Sequence, residues 1–195
     1  MLMLREDDGV ARIVAFIADI FERRGAESYL GEAVTMSEHM LQGAVLAEQE
    51  GAPEELVAAA LLHDIGHYTS EFGTMSLGDE RDNYHEESGA AVLAPFFPPV
   101  IAECVRLHVP AKRYLCATDA SYFDRLSEAS KHTLSLQGGP MSAAEVTAFE
   151  ANPYHREAVR VRIWDDEGKQ PGMATPHFRH YMPLLQRVVD RHAGN

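Results

Sequence analysis

Apolar positions recur with helical spacing along nearly the whole chain. Val10, Ile13, Val14, Ile17, Ile20 and Phe21 follow an i, i+3, i+4, i+7 rhythm, and Gly25 stands where that helix should stop. Thr35 and Glu38 have capping-box spacing, which predicts a second helix ending near Gly51. Pro53, at a first-turn position with Glu54 and Glu55 behind it, opens a third helix. That helix carries the apolar run Leu56 to Leu62 and should end by Gly66. A polar loop with two glycines and several acids follows, from about Thr69 to Asn83. The next helix is expected from near Tyr84 to just before Pro95. Pro98-Pro99 opens another, which Pro110 should end. Later helices are expected over Ala120–Leu136, Ser142–Glu150 and Tyr154–Asp166, with a second capping box at Ser142 and Glu145. Thr175-Pro176 should start a last helix reaching about His192. No alternating strand of useful length, no repeat and no low-complexity linker interrupts the pattern. The expectation is one all-α domain.

Bulk properties narrow the picture. The chain has 195 residues, 46% hydrophobic and 24% charged, which suits one compact domain with a real core. A formal net charge of −13 argues against an exposed nucleic-acid surface, yet leaves room for a cationic pocket that takes a small anion. Cys104 and Cys116 make no disulfide framework. No apolar stretch approaches the roughly 20 residues of a membrane span. The opening MLMLREDDG is too short and too acidic for a signal peptide, so a cytoplasmic location is the expectation. The oligomeric state is left open.

The chemistry sits at the end of the apolar run, in His63-Asp64-Ile65-Gly66-His67. Two imidazoles and a carboxylate ending a buried helix are costly unless something pairs them, and a metal ion is the usual partner. His39, His85, His108 and Asp165 are further candidate donors. Singly, each has a plainer account: His39 beside Glu38 as a surface residue, His85 and His108 as helix-terminal histidines, Asp165-Asp166 as a solvated helix end. His67, four residues after His63 on the same helical face, suits a ligand, a donor behind the ligands or a substrate contact. Six donors exceed the roughly four that one metal takes, so a second metal sharing Asp64 is expected. Imidazole and carboxylate suit iron, manganese or zinc alike.

The segments YLGEAVTMSEH (29–39), ALLHDIGHY (60–68), HVPAKRYL (108–115), LSEASKHTLSLQGGPM (126–141) and RIWDDEGKQ (162–170), together with His85, carry a resemblance. With them the chain, from about Tyr29 to Asp166, resembles the PhnZ/TmpB-type HD-domain mixed-valent diiron oxygenases, which cleave carbon–phosphorus bonds. The resemblance implies a single HD-domain helical bundle with the metal site in its core. It also implies two Fe ions, as an Fe(II)/Fe(III) pair, with O2 as co-substrate. His39, His63, Asp64 and Asp165 would hold one iron, and Asp64, His85 and His108 the other. Tyr29 and Glu32 would form a gate, the tyrosine occupying an iron site until substrate displaces it and the glutamate receiving the substrate's cation. His67, Lys112, Ser127, Gln137 and Arg162 match positions near the phosphonate. A dianionic head group wants such cations and neutral donors.

Many HD proteins instead hydrolyse phosphate esters with a metal-bound water, and that is the competing reading. A phosphonate carbon is a poor leaving group, which favours oxidation of the carbon before scission. The expected substrate is a small organophosphonate, 1-hydroxy-2-(trimethylammonio)ethylphosphonate, giving glycine betaine and phosphate. The alternative is the primary amine, giving glycine. The preference for the quaternary cation rests on Glu71, Phe72, Asp79, Glu80, Asp82 and Tyr84 before His85, since such a cation is held by diffuse negative charge and aromatic faces.

Overall fold

The computed structural model describes residues 6–29, 31–69 and 81–194, with backbone only for 6–11. Eleven α-helices follow in order among them: α1 (Glu6–Arg24), α2 (Met36–Gln49), α3 (Glu54–Leu62), α4 (Gly66–Thr69), α5 (His85–Leu93), α6 (Pro99–Thr118), α7 (Tyr122–Arg125), α8 (Glu128–Leu136), α9 (Ala143–Glu150), α10 (His155–Glu167) and α11 (Met182–Ala193). A short 3-10 turn, Phe178–His180, precedes α11. No strand occurs among the described residues; one isolated bridge joins Ser28 and Thr35. The all-α expectation holds.

Helices α2, α3, α6 and α10 pack on one another to make the centre, with α5 against α6 and α1 and α11 on the outside. The core runs through Ile17, Met36, Met40, Leu61, Leu62, Ile65, Ile101 and Trp164, all nearly without solvent contact. Helix α3 is buried along its entire described apolar run, Leu56 to Leu62, so it threads the bundle rather than lying on it. That explains why its end delivers polar residues to the interior.

Both capping boxes form as expected. Thr35 accepts from Glu38 N while Glu38 accepts from Thr35 N, and Ser142 and Glu145 repeat the arrangement. Several boundaries differ from expectation. Pro53 is the N-cap of α3 rather than a first-turn residue. Gly66 opens the short α4 instead of closing α3. Pro110 lies inside α6, which runs on to Thr118. An internal proline costs about 3 kcal/mol. Burial of Val105 and Leu107 before it, and of Ala111 and Lys112 after it, holds the helix together across the lost hydrogen bond. The stretch 120–136 is split into α7 and α8, because Ser127 takes an extended conformation and caps α8 through its hydroxyl. The C-terminal helix starts at Met182, later than expected, since His177 Nδ1 accepts from Arg179 N and sets the 3-10 turn first.

Two glycines let the bundle close around its centre. A Cβ on Gly66 would lie 1.7 Å from the His85 carbonyl oxygen, so only glycine lets α4 abut the start of α5. A Cβ on Gly168 would come within 2.9 Å of the Trp164 carbonyl and 3.2 Å of the His39 carbonyl, so the chain after α10 can lie against α2.

Candidate metal centre and substrate pocket

Six donors from five helical elements converge. His39 lies in the first turn of α2, His63 caps the end of α3 with Asp64 next to it, His85 begins α5, His108 lies in α6 and Asp165 near the end of α10. All are buried.

The imidazoles are oriented from behind. His39 Nδ1–H donates to Gly168 O (2.8 Å), His63 Nδ1–H to Ala60 O (2.8 Å) and His108 Nδ1–H to Val105 O (2.7 Å). His85 Nδ1–H donates to Asn83 Oδ1 (3.0 Å). Each acceptor is an oxygen without a proton to give, so the four Nδ1 atoms carry hydrogens and, in the neutral rings, the four Nε2 atoms present lone pairs. Those lone pairs meet in two couples, His39 with His63 at 2.9 Å and His85 with His108 at 3.1 Å. Facing lone pairs at that distance repel unless a cation lies between them.

Asp64 joins the couples. Its Oδ2 is 3.4 Å from both His39 and His63 Nε2, and its Oδ1 is 3.3 Å from His85 and 3.4 Å from His108 Nε2. Asp165 Oδ1 closes the first group, 3.4 Å from His39 and 3.8 Å from His63. Asp64 Oδ2 and Asp165 Oδ1 are buried with no hydrogen-bond partner. Donors about 2.1 Å from one metal lie roughly 3.0–3.4 Å apart, and the separations here, 2.9–3.8 Å, bracket that range. The residues therefore fit metal binding, in two groups bridged by one carboxylate. The fold brings the six residues expected as donors together.

Electrostatics repeat the demand for a cation. Burial opposes a charge on His63, yet Asp64 and Asp165 raise its pKa to about 9. Burial also works against ionised Asp64, but the surrounding imidazoles hold its carboxyl well below the usual range. Burial pulls His108 down to about 4 and His67 well below an ordinary histidine.

Tyr29 covers this centre. A tight turn carries it, with Tyr29 N donating to Val34 O (3.2 Å), Glu32 N to Tyr29 O (2.7 Å), and Gly31 at φ 77°. Its ring stacks on His39 with centroids 3.9 Å apart. Burial and the Asp64 and Asp165 carboxylates keep its phenol protonated well above the usual pKa. Glu32 is half-buried near the same turn, off the pocket wall, and its Oε1 has no hydrogen-bond partner. His67 lies in the wall, stacked on His85 at 4.0 Å.

Above the donors is a cavity of only about 20 Å³, enough for a water molecule and no more. Its wall includes Lys112, Gln137 and Arg162, as expected, and also Ser130 and Thr133. Ser127 is not in the wall; its hydroxyl caps α8 by accepting from Ser130 N. Lys112 Nζ donates to Thr133 Oγ1 (2.8 Å), and burial, followed by repulsion from Arg162, lowers this lysine to about 7. The Arg162 guanidinium is engaged on every nitrogen. Nη1 donates to Asp165 (2.6 Å), Nη2 to Asp166, and Nε to Asp166 (3.0 Å) and Tyr122 (3.1 Å). Tyr122 in turn donates to Asp166. Of the acidic and aromatic residues expected to meet a substrate cation, Glu71, Phe72, Asp79 and Glu80 lie outside the described residues. Asp82 is half-buried, and Tyr84 is exposed in a left-handed conformation (φ 49°) directly before His85. Such a conformation is uncommon for a residue other than glycine.

An all-α bundle with His, His-Asp and Asp donors on its central helices is the architecture of the HD domain. Residues 36–166 match the HD domain family, and the chain belongs to it. Among its relatives is the 1-hydroxy-2-(trimethylamino)ethylphosphonate dioxygenase (glycine-betaine-forming) of Leisingera caerulea, 62% identical over 182 residues, 93% of each chain. The hydroxymethylphosphonate dioxygenase of Gimesia maris is 46% identical over 170 residues, 84% of this chain and 82% of the relative. An uncharacterized protein of Acanthamoeba polyphaga mimivirus is 34% identical over 92% of this chain and 83% of its own.

Proposed function

We propose that this protein is a metal-dependent dioxygenase that cleaves the carbon–phosphorus bond of 1-hydroxy-2-(trimethylammonio)ethylphosphonate, with glycine betaine and phosphate as products. The observation that carries the reading is the pair of imidazole couples bridged by Asp64 beneath a lysine-bearing pocket, in a chain 62% identical to a dioxygenase of that substrate. Substrate and O2 become a carboxylate, hydrogen phosphate and a proton, so both oxygen atoms are used and the C1 carbon is oxidised.

In this reading the metals are two irons, an Fe(II)/Fe(III) pair. His39, His63, Asp64 and Asp165 hold one, and Asp64, His85 and His108 hold the other. When bound, the pair supplies the oxygen activation and electron transfer that imidazole and carboxylate side chains lack. The protein's own part is positioning and charge. Lys112 meets the phosphonate, with Gln137, Thr133 and Ser130 as neutral partners and His67 beside them. Arg162 contributes fixed positive charge to the wall and holds Asp165 in place. Ser127 acts one step back, by fixing where α8 begins.

The free space above the donors is small, about 20 Å³, so in this reading the wall moves to admit a phosphonate. Tyr29 is the residue that does so in this reading, since it covers the donors from a short turn rather than from a helix. Glu32, with a buried oxygen that has no partner, then meets the substrate's ammonium. A trimethylammonium cannot donate an N–H bond, so a carboxylate and an aromatic face are its fitting neighbours. The burial of the donors keeps water from the reacting carbon.

The test is phosphate release from the trimethylammonio and primary-amine hydroxyphosphonates by iron-loaded protein, with and without oxygen. Oxygen-dependent release, faster from the trimethylammonio compound, is expected. Equal release without oxygen would establish a hydrolase instead.

A further inference from the structure

We propose that Lys169 is a second ammonium for the substrate's phosphonate, paired with Lys112 across the Ser130–Thr133 face of α8 and uncovered when Tyr29 moves. The proposal rests on the phosphonate reading above and names the site's second cation.

Ser130 and Thr133 are one turn apart on α8, and both line the cavity. Each hydroxyl accepts from a lysine of a different element. Lys112, from α6, donates to Thr133 Oγ1 at 2.8 Å, and Lys169, just after α10, donates to Ser130 Oγ at 3.2 Å. Two ammonium groups and two hydroxyls on one helix face form a set of donors suited to a tetrahedral oxyanion.

The remaining wall cation, Arg162, is poorly placed to turn towards a ligand. All three of its nitrogens already serve Asp165, Asp166 and Tyr122. Lys169 is held more loosely. Its Nζ is 3.4 Å from Asp165 Oδ1 and 3.5 Å from Asp166 Oδ1, beyond good hydrogen-bond length, and both carboxylates are already bonded by Arg162. Arg162 and Lys169, joined by Lys112 whenever it is protonated, thus face the two carboxylates of Asp165 and Asp166. Asp165 also faces the imidazoles, which leaves the lysines short of anionic partners. The side chain of Lys169 is only 10% exposed, so water does little to make up the shortfall.

Lys169 is not part of the cavity wall, and its nearest aromatic neighbour there is Tyr29. The ammonium lies 5.8 Å from the centroid of the Tyr29 ring, and Tyr29 is part of the wall. Withdrawal of that ring joins the space beside Lys169 to the cavity. The same movement therefore makes room for the substrate and releases a cation to bind it.

The experiment is calorimetric titration of inorganic phosphate into metal-loaded wild type, Lys169→Met and Lys169→Arg, with metal content measured in each. Lys169→Met should bind phosphate about tenfold or more weakly at unchanged metal content, and Lys169→Arg should recover most of the loss. Wild-type affinity in Lys169→Met overturns the proposal, as does a wild type that binds no phosphate. Loss of metal along with affinity in both variants also overturns it, by assigning Lys169 to the support of Asp165. Phosphonate turnover in the same preparations separates the two claims. A wild type that binds phosphate but cleaves no phosphonate defeats the dioxygenase reading and leaves the role of Lys169 to be decided by the titrations.

Discussion

The two halves of the donor cluster are built from the same residue types but are supported differently. In the half formed by His39, His63 and Asp165, both imidazoles donate to backbone carbonyls, of Gly168 and Ala60, and the carboxylate is bonded by Arg162. In the half formed by His85 and His108, only His108 has a backbone acceptor, Val105 O. His85 leans on side chains alone, the Asn83 amide with the Glu86 carboxylate 3.5 Å from the same nitrogen, and follows Tyr84 in its left-handed conformation. A carbonyl within or against a helix moves only if the helix moves, whereas an amide two residues away in a loop moves by rotating a bond. The comparison teaches that metal affinity should be unequal, with the first half the tighter and the second the adjustable one.

Asp64 is the joint of the comparison, so its removal should have the largest effect. Asp64→Ala takes one oxygen from each half and leaves four imidazole nitrogens facing each other in pairs. Metal content should fall at both positions, and phosphonate cleavage should drop by about a thousandfold or more. Metal analysis after desalting checks this. Retention of one full equivalent of metal would show that the halves are independent rather than joined.

Arg162 comes next, because it supports the first half alone. Arg162→Met takes the bonded guanidinium from the buried Asp165 and the half-buried Asp166 and leaves them only the longer contacts to Lys169, and breaking a buried pair in this way costs up to about 3–5 kcal/mol. Thermal unfolding should shift down accordingly. In the folded fraction the first metal should weaken more than the second. The opposite order in a chelator competition would break the assignment of Arg162 to the first half.

Much of this was legible in the sequence, and the parts that were not share a cause. The six donors stood out because histidines and aspartates at the ends of apolar runs must be paired wherever the helices go. Two helix starts followed from caps, at Thr35 and Ser142, whose partners lie three residues away. The pocket wall was harder. Ser127, Ser130 and Thr133 lie within seven residues, and which of them faces the cavity depends on where α8 starts. Reading 120–136 as one helix hid the cap at Ser127 and so hid the roles of Ser130 and Thr133. Pro110 was misleading because helix propensity is local, while the packing that keeps α6 helical across it comes from other helices. Lys169 gave no sign, since a lysine after a helix end is usually solvated. Only the fold around Tyr29 shows it drawn inward.

Asn83→Ala tests the adjustable half more gently. It removes the acceptor behind His85 while leaving every donor in place. Loss of such a supporting bond typically costs about 10–100-fold in metal affinity. The second metal should weaken by that factor, and the first should be unaffected within about twofold. Equal weakening at both positions would mean that Asn83 acts on the whole cluster, and the contrast between halves would fail.

The smallest expected effect lies above the metals, in the pH dependence of anion binding. Lys112 is lowered to about 7 first by burial and then by Arg162 and Lys169, against the opposing pull of Asp165 and Asp166. Below about pH 7 it is an ammonium that favours a dianion, and above it is a neutral amine. Sulfate keeps its double charge over the whole range, so any change in its affinity belongs to the protein. Its binding to the metal-loaded enzyme should weaken as pH rises above about 7, by up to about tenfold per unit. Because a bound dianion stabilises the ammonium, binding above about pH 7 should also take up a proton, visible as a buffer-dependent heat. Lys112→Met should bind sulfate weakly at every pH and lose that proton uptake. An affinity that stays flat across the range in wild type would show that Lys112 is charged throughout, held by partners other than the anion.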